Sequence, residues 1–269
     1  MIIVGGVEIK QGHFPDGTLL TKFDPNSDEF DPRGNMLVEW YYENDAELFT
    51  LICVKRHLDR VYSYSDVILY MPYIPHARQD RVKSDEDVFT LKYFCEVINS
   101  LGFKVVHVRD AHSNVSLALL DNVQDEGIAH YVRKAVDASG ADVLFFPDEG
   151  AMKRYSSTSE KPYAFGLKKR DWATGQIQGL DIVNAEAVVG KDVLIVDDIC
   201  SRGGTFYHSA KALIAAGAKS VSLYVSHLEE TVLDGDLCRE RLAKHVYTTK
   251  SIFPDAALEF WGDWITVLN

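Results

Sequence analysis

The chain lacks any apolar run approaching the ~20 residues that would span a bilayer, so no membrane segment is expected. Met1 to Val7 carries neither a basic cluster nor a long apolar core, so no secretory leader is read there. Cysteines are few. Cys53, Cys95, Cys200 and Cys238 are scattered, without the paired spacing of a metal site, which fits a reduced, cytoplasmic protein. Positive charge is also short: 28 lysines and arginines against 40 acidic residues leave a formal net charge of −12. Such a balance argues against coating nucleic acid, although a local loop can still bind phosphates. There is no low-complexity tract and no strict internal repeat. What remains is an ordinary soluble composition, 46% hydrophobic and 25% charged, and a length of 269 residues that suits one large domain or two smaller ones.

Six β-rich apolar runs each end in polar or glycine-rich residues: Glu47–Val54, Asp66–Tyr73, Phe103–Asp110, Ala141–Gly150, Lys191–Asp198 and Ser220–His227. Near-continuous runs of this kind predict strands buried on both faces. Helical spacing lies between them. Leu91, Phe94, Cys95, Ile98 and Leu101 share one face before Gly102; Ile128, Tyr131, Val132, Ala135 and Val136 do so before Gly140; Ala210, Leu213 and Ile214 do so before Gly217. Strands alternating with helices predict an α/β fold with largely parallel sheets flanked by helices. The pattern occurs in both halves, so two similar domains are expected. The polar stretch Leu119–Gly127 reads as the seam, giving an N-terminal domain at 1–122 and a C-terminal domain at 123–269. Phe23–Asn35, rich in Pro, Asp, Asn and Gly, reads as loop.

Parallel sheets bind ligands at the carboxyl ends of their strands. The polar residues there are Arg78-Gln79-Asp80, Asp110 with His112, Asp148, and Asp197-Asp198. The last pair opens the stretch "VLIVDDICSRGGT", Val193–Thr205. Gly203 and Gly204 let backbone amides approach an anion, and a helix starting near Thr205 would turn its positive end to the same point. Asp197 and Asp198 would not bind that anion, but suit sugar hydroxyls or a cation. Phosphate at one end and vicinal hydroxyls at the other describe a ribose phosphate. Taken alone, the pattern is equally that of an ordinary strand–turn–helix corner.

The same stretch resembles the phosphoribosyl-pyrophosphate-binding loop of the type I phosphoribosyltransferase fold. "YMPYIPHARQDRV", Tyr70–Val82, resembles the ATP-binding signature of a narrower group, the ribose-phosphate pyrophosphokinase (PRPP synthetase) family. Four more stretches resemble that family's motifs, in its order along the chain. "HFPDG" (His13–Gly17) is similar to its adenine-contacting Arg-Phe-Ser-Asp-Gly, and "VRDAHS" (Val108–Ser113) to its Asp-Leu-His. "FPDEGAMKR" (Phe146–Arg154) is similar to Pro-Asp-x-Gly-Gly, and "LKKR" (Leu167–Arg170) to the Lys-x-Arg of its catalytic loop.

The resemblance implies Mg²⁺-dependent transfer of the β,γ-diphosphate of ATP to the anomeric hydroxyl of ribose 5-phosphate, with AMP leaving. It implies ATP contacts from Phe14, Asp16, Arg78, Gln79 and Asp80, and Mg²⁺ contacts from His112 and Asp148. Catalysis would fall to Lys168, Arg170 and His112. The ribose phosphate would be held by Asp148, Asp197, Asp198, Ser201, Arg202, Gly203, Gly204 and Thr205. Arg154 reads as a structural ion pair. A homodimer or higher homo-oligomer is implied, because in the family the Phe-x-Asp-Gly loop reaches a neighbouring subunit's ATP site.

Departures matter too. The chain is shorter than the family at both ends, where surfaces for hexamer formation and allosteric control by ADP lie. Thr18 stands where the family has Glu, and Glu149 and Ala151 interrupt the small-residue segment after Asp148. The family loop reads Asp-Asp-x-x-Asp-Thr-x-Gly-Thr; here Ser201 replaces its third Asp and Arg202 its first Thr. An acid is lost and a cation gained. A guanidinium fork suits a diphosphate, which makes ADP-ribose an alternative acceptor and NAD synthesis an alternative setting. A base phosphoribosyltransferase and an inactive regulatory homologue are the remaining alternatives.

Overall fold

The structure, a computed structural model, describes residues 1–30, 34–170 and 177–269; the side chains of 168–179 also lie outside the description. The chain forms two compact units, Met1–Glu126 and Gly127–Asn269.

The first unit contains β1 (Ile2–Val4), β2 (Val7–Glu8), β3 (Lys10–His13), β4 (Leu19–Lys22), β5 (Met36–Trp40), α1 (Ala46–Val61), β6 (Val67–Tyr70), α2 (Thr90–Ser100), β7 (Val106–Arg109), α3 (Asn114–Leu119) and β8 (Val123–Glu126). Its sheet has the order β2-β1-β5-β6-β7-β8, parallel from β5 to β8 and antiparallel at β1 and β2. β3 and β4 form a separate hairpin.

Two expectations change here. Glu47–Val54 is not a strand but the first half of α1. Its β-branched, aromatic look is local, whereas the residues it buries, Glu47, Thr50, Leu51, Val54, Lys55 and Leu58, recur at helical spacing. The polar stretch Leu119–Gly127 contains a strand: β8 pairs in parallel with β7, Val106 opposite Val123 and Arg109 opposite Glu126. A short, charged edge strand protects the sheet's rim from pairing with other chains. The unit therefore runs to Glu126.

The second unit contains α4 (Ala129–Ser139), β9 (Val143–Phe146), α5 (Glu149–Tyr155), β10 (Tyr163–Arg170), β11 (Ile177–Val183), β12 (Asp192–Cys200), α6 (Gly204–Ala215), β13 (Ser220–Leu228), α7 (Asp236–Arg239), β14 (Val246–Thr249), α8 (Asp255–Trp261) and β15 (Ile265–Leu268). The sheet order is β11-β10-β9-β12-β13-β14-β15, with only β11 antiparallel among the described strands. Alternate residues of the central strands enter different cores. Phe145, Ile195 and Leu223 pack with Phe206, Ala210 and Leu213 of α6; Phe146, Val196 and Tyr224 pack with Tyr131, Val132 and Val136 of α4. Both faces are covered, which is why the strands read as continuous apolar runs. Burying each of Phe206 and Leu213 contributes roughly 1.5–3 kcal/mol. Gly140 ends α4 in the left-handed region, with its N–H on the Val136 carbonyl at 2.9 Å. All four cysteines are free, and no described helix is long and apolar enough to cross a membrane.

Candidate active site

In the first unit the loop after β6 carries Arg78, Gln79 and Asp80. With Arg81, Lys83, Asp87 and His112 they line a cavity of 330 Å³. Asp80 and Gln79 are placed by bonds that the sequence motif does not announce. Asp80 accepts from Arg81 Nε at 2.6 Å and from Ser113 Oγ at 2.7 Å. Arg81 first, then Ser113, holds its carboxyl well below the usual range, at about 2. Ser113 also N-caps α3, accepting from Val115 N–H at 3.2 Å. Asp80 thus ties the loop after β6 to the segment that bears His112. Gln79 accepts from Thr90 Oγ1 at 2.7 Å, anchoring it to the start of α2. His76, at φ 63°, makes the turn that precedes these residues, and its ring bonds Asp45 at 3.1 Å.

Phe14 and Asp16 sit at the tip of the β3–β4 hairpin and are not among the residues lining that cavity. Phe14 is 50% exposed. Asp16 accepts from Thr18 N–H at 3.0 Å and Thr18 Oγ1 at 2.7 Å, closing the turn and lowering its own pKa. The threonine at the family's glutamate position therefore has a local role.

In the second unit Asp148 follows β9 and N-caps α5, accepting from Ala151 N–H at 3.1 Å. Gly166 of β10 passes tightly over the preceding residue: a Cβ there would lie 2.7 Å from the Pro147 carbonyl oxygen. β10 pairs with β9 up to Phe165 opposite Phe146 and then runs on past the end of β9. Lys168 and Arg170 lie on this continuation; their side chains lie outside the described residues.

The central strand β12 carries Asp197 and Asp198 near its end at Cys200, and Ser201, Arg202 and Gly203, at φ 79°, follow it. Gly203 enters α6 without any side-chain cap. The first N–H groups of this 12-residue helix therefore have no side-chain cap, and its first residues, Gly204 and Thr205, are exposed. Asp197 Oδ1 accepts from Asp198 N–H at 3.0 Å. Asp198, 8% exposed, is 3.7 Å from Arg154 Nη1. Arg154 is thus the ion pair expected of it, and it places a cation against an acid at the strand end.

Among the described residues no group of three or more His, Cys, Asp or Glu side chains could hold a metal ion alone. His112 and Asp148, the residues expected at a Mg²⁺, belong to different units: His112 lines the first unit's cavity and Asp148 caps α5 in the second. Sequence reasoning did not find Arg81, Lys83 and Ser113; the cation-rich run Arg78–Lys83 was the available signal for the first two.

A phosphoribosyl transferase domain model matches residues 152–262, within the second unit. Ribose-phosphate pyrophosphokinase 2 of Archaeoglobus fulgidus is 30% identical over 237 residues, covering 84% of this chain and 77% of that protein. The ribose-phosphate pyrophosphokinase of Brucella melitensis is 30% identical over 228 residues, covering 81% and 71%. That of Saccharolobus solfataricus is 27% identical over 229 residues, covering 82% and 77%. The crystal structure of phosphoribosylpyrophosphate synthetase from Mycobacterium smegmatis superposes with a TM-score of 0.72 at 22% identity, over 97% of this chain and 85% of that one, a likeness of fold. The order of motifs, the two α/β units and these relatives agree: the chain belongs to the ribose-phosphate pyrophosphokinase family of ATP-dependent diphosphotransferases.

Proposed function

We propose that the protein transfers the β,γ-diphosphate of Mg²⁺-ATP to the anomeric hydroxyl of ribose 5-phosphate, giving the 1-diphosphate and AMP. The observation that carries this is the end of β12: two acids, then a left-handed glycine, then an uncapped helix start. The amides from Ser201 to Thr205 hold the 5-phosphate, and Asp197 and Asp198 accept from the ribose hydroxyls. The anomeric oxygen then attacks the β-phosphorus, the bond from that phosphorus to the α-bridging oxygen breaks, and AMP leaves on that oxygen. Arg78 and Gln79 bind the nucleotide in the first unit, and Arg78 offers planar, multi-donor recognition of phosphate. Lys168 and Arg170 supply positive charge to the transferring group, since positioning and electrostatics carry most of phosphoryl transfer. His112 in the first unit and Asp148 in the second are the candidate contacts for Mg²⁺ or its water shell, which would neutralise charge on the triphosphate. Phe14, exposed and away from its own unit's cavity, packs against adenine in a neighbouring subunit, so a homodimer or larger assembly forms.

A second acceptor, ADP-ribose, is favoured by one observation. Among the described residues the exposed Arg202 guanidinium has no hydrogen bond or ion pair. It is available for the second phosphate of a ribose 5-diphosphate, whose geometry its fork matches. Both acceptors are tested together: the protein is incubated with Mg²⁺-ATP and each, and AMP and product mass are followed. Turnover of ribose 5-phosphate but not ADP-ribose would remove the second reading. The reverse would replace the first. AMP from neither would refute the diphosphotransfer itself.

A further inference from the structure

Behind the phosphate loop stands a segment with no part in the chemistry above. It runs from Glu229 through a 3-10 turn, Glu230–Asp234, to α7. Glu229 N–H donates to the Cys200 carbonyl at 2.8 Å. Gly235, the residue that opens α7, lies against the loop itself: a Cβ there would stand 1.9 Å from the Arg202 carbonyl oxygen and 2.9 Å from its carbon. The obstacle is backbone, so no L-side chain fits unless the loop or α7 moves. Leu237 fills the space beneath Gly203, where an added Cβ would lie 3.1 Å from Leu237 Cβ. Tyr207 of α6 donates to Glu240 at 2.8 Å, tying α6 to the end of α7.

A trans peptide points its carbonyl and its N–H in opposite directions. Seating the Arg202 carbonyl on Gly235 therefore aims the Gly203 N–H away from α7. The left-handed Gly203 then turns the chain so that the amides opening α6 follow. We propose that Gly235 is a positioning residue for the reaction: it fixes the Arg202–Gly203 peptide, and so aims the amides that hold the acceptor's phosphate. This deepens the proposed function and rests on it, because the ligand is that acceptor.

The test is steady-state kinetics of the full chain, its Gly235→Ala variant and its Leu237→Ala variant, with Mg²⁺-ATP and whichever acceptor the parent turns over. The KM for the acceptor is expected to rise about tenfold or more, the scale of misaligned hydrogen bonds to a charged group. The KM for ATP, bound in the first unit, should stay within about twofold. A merely structural glycine would lower the folded fraction, and with it apparent kcat, without moving either KM. An unchanged acceptor KM in folded Gly235→Ala overturns the proposal. If that variant does not fold, an unchanged acceptor KM in Leu237→Ala does so. A parent protein inactive on both ribose 5-phosphate and ADP-ribose refutes the proposed function at its own step and removes this inference with it.

Discussion

Gly203 and Gly204 are adjacent, and alanine at each should have opposite effects on stability. Gly203 sits at φ 79°, where an L-residue costs roughly 1–2 kcal/mol. A methyl there would also lie 3.1 and 3.2 Å from Leu237 Cβ and Cδ2, side-chain atoms held in the core, so a further ~1 kcal/mol of overpacking is expected. Gly203→Ala should therefore lose about 2–3 kcal/mol, or roughly 4–10 °C in Tm for a unit of this size. Gly204 is the first residue of α6, and a Cβ there meets nothing within 4 Å. Gly204→Ala should be neutral or gain up to about 1 kcal/mol, because alanine loses less backbone entropy in a helix. Thermal unfolding followed by circular dichroism, with the ligand-free parent as reference, separates the two. The reasoning is refuted if Gly203→Ala melts with the parent, or if Gly204→Ala loses as much as Gly203→Ala.

Other substitutions test other parts of the molecule. Arg154→Met should cost about 1–2 kcal/mol, less than a fully buried pair, since Asp198 keeps its burial but loses a cation that is itself partly exposed; urea titration measures it, and a loss below ~0.3 kcal/mol would contradict the ion pair. Lys168→Ala should abolish AMP formation while ATP binding by calorimetry stays largely intact; unchanged turnover would contradict the catalytic role. Asp80 is held below its ordinary 3.8, at about 2, in the folded protein, so its stabilisation is full above 3.8 and disappears as pH falls through about 2. The stability gap between the parent and Asp80→Asn should accordingly close over that window in acid-unfolding curves, and a gap that persists to pH 2 would show that the bonds of Asp80 to Arg81 and Ser113 do not set it.

Much of the architecture was legible because it is local and periodic. β6, β7, β9, β12 and β13 lie within the runs read as strands or overlap them closely, since strands covered on both faces have no polar alternation to dilute their signal. Gly102, Gly140 and Gly217 all adopt positive φ at the predicted helix stops. Where two periods competed, the local one misled. Glu47–Val54 has strand-like composition, but packing extends its helical spacing to Leu58. β8 was hidden because an edge strand gains its place from β7, not from apolar residues of its own. In the site, the acids, the glycines and the Arg78-Gln79-Asp80 run were visible as residue types at strand ends.

By itself, then, the sequence determined the strand–helix alternation, the anion loop after β12 and the order of motifs that marks the family. It also exposed Arg202 as the residue out of pattern. Tertiary structure alone decided what holds these parts in place. Asp80 meets Ser113, Arg154 meets Asp198, and Gly235 carries the Arg202 carbonyl. Each pair is separated by more than thirty residues, and only the folding of one strand–helix unit against the next brings such partners together.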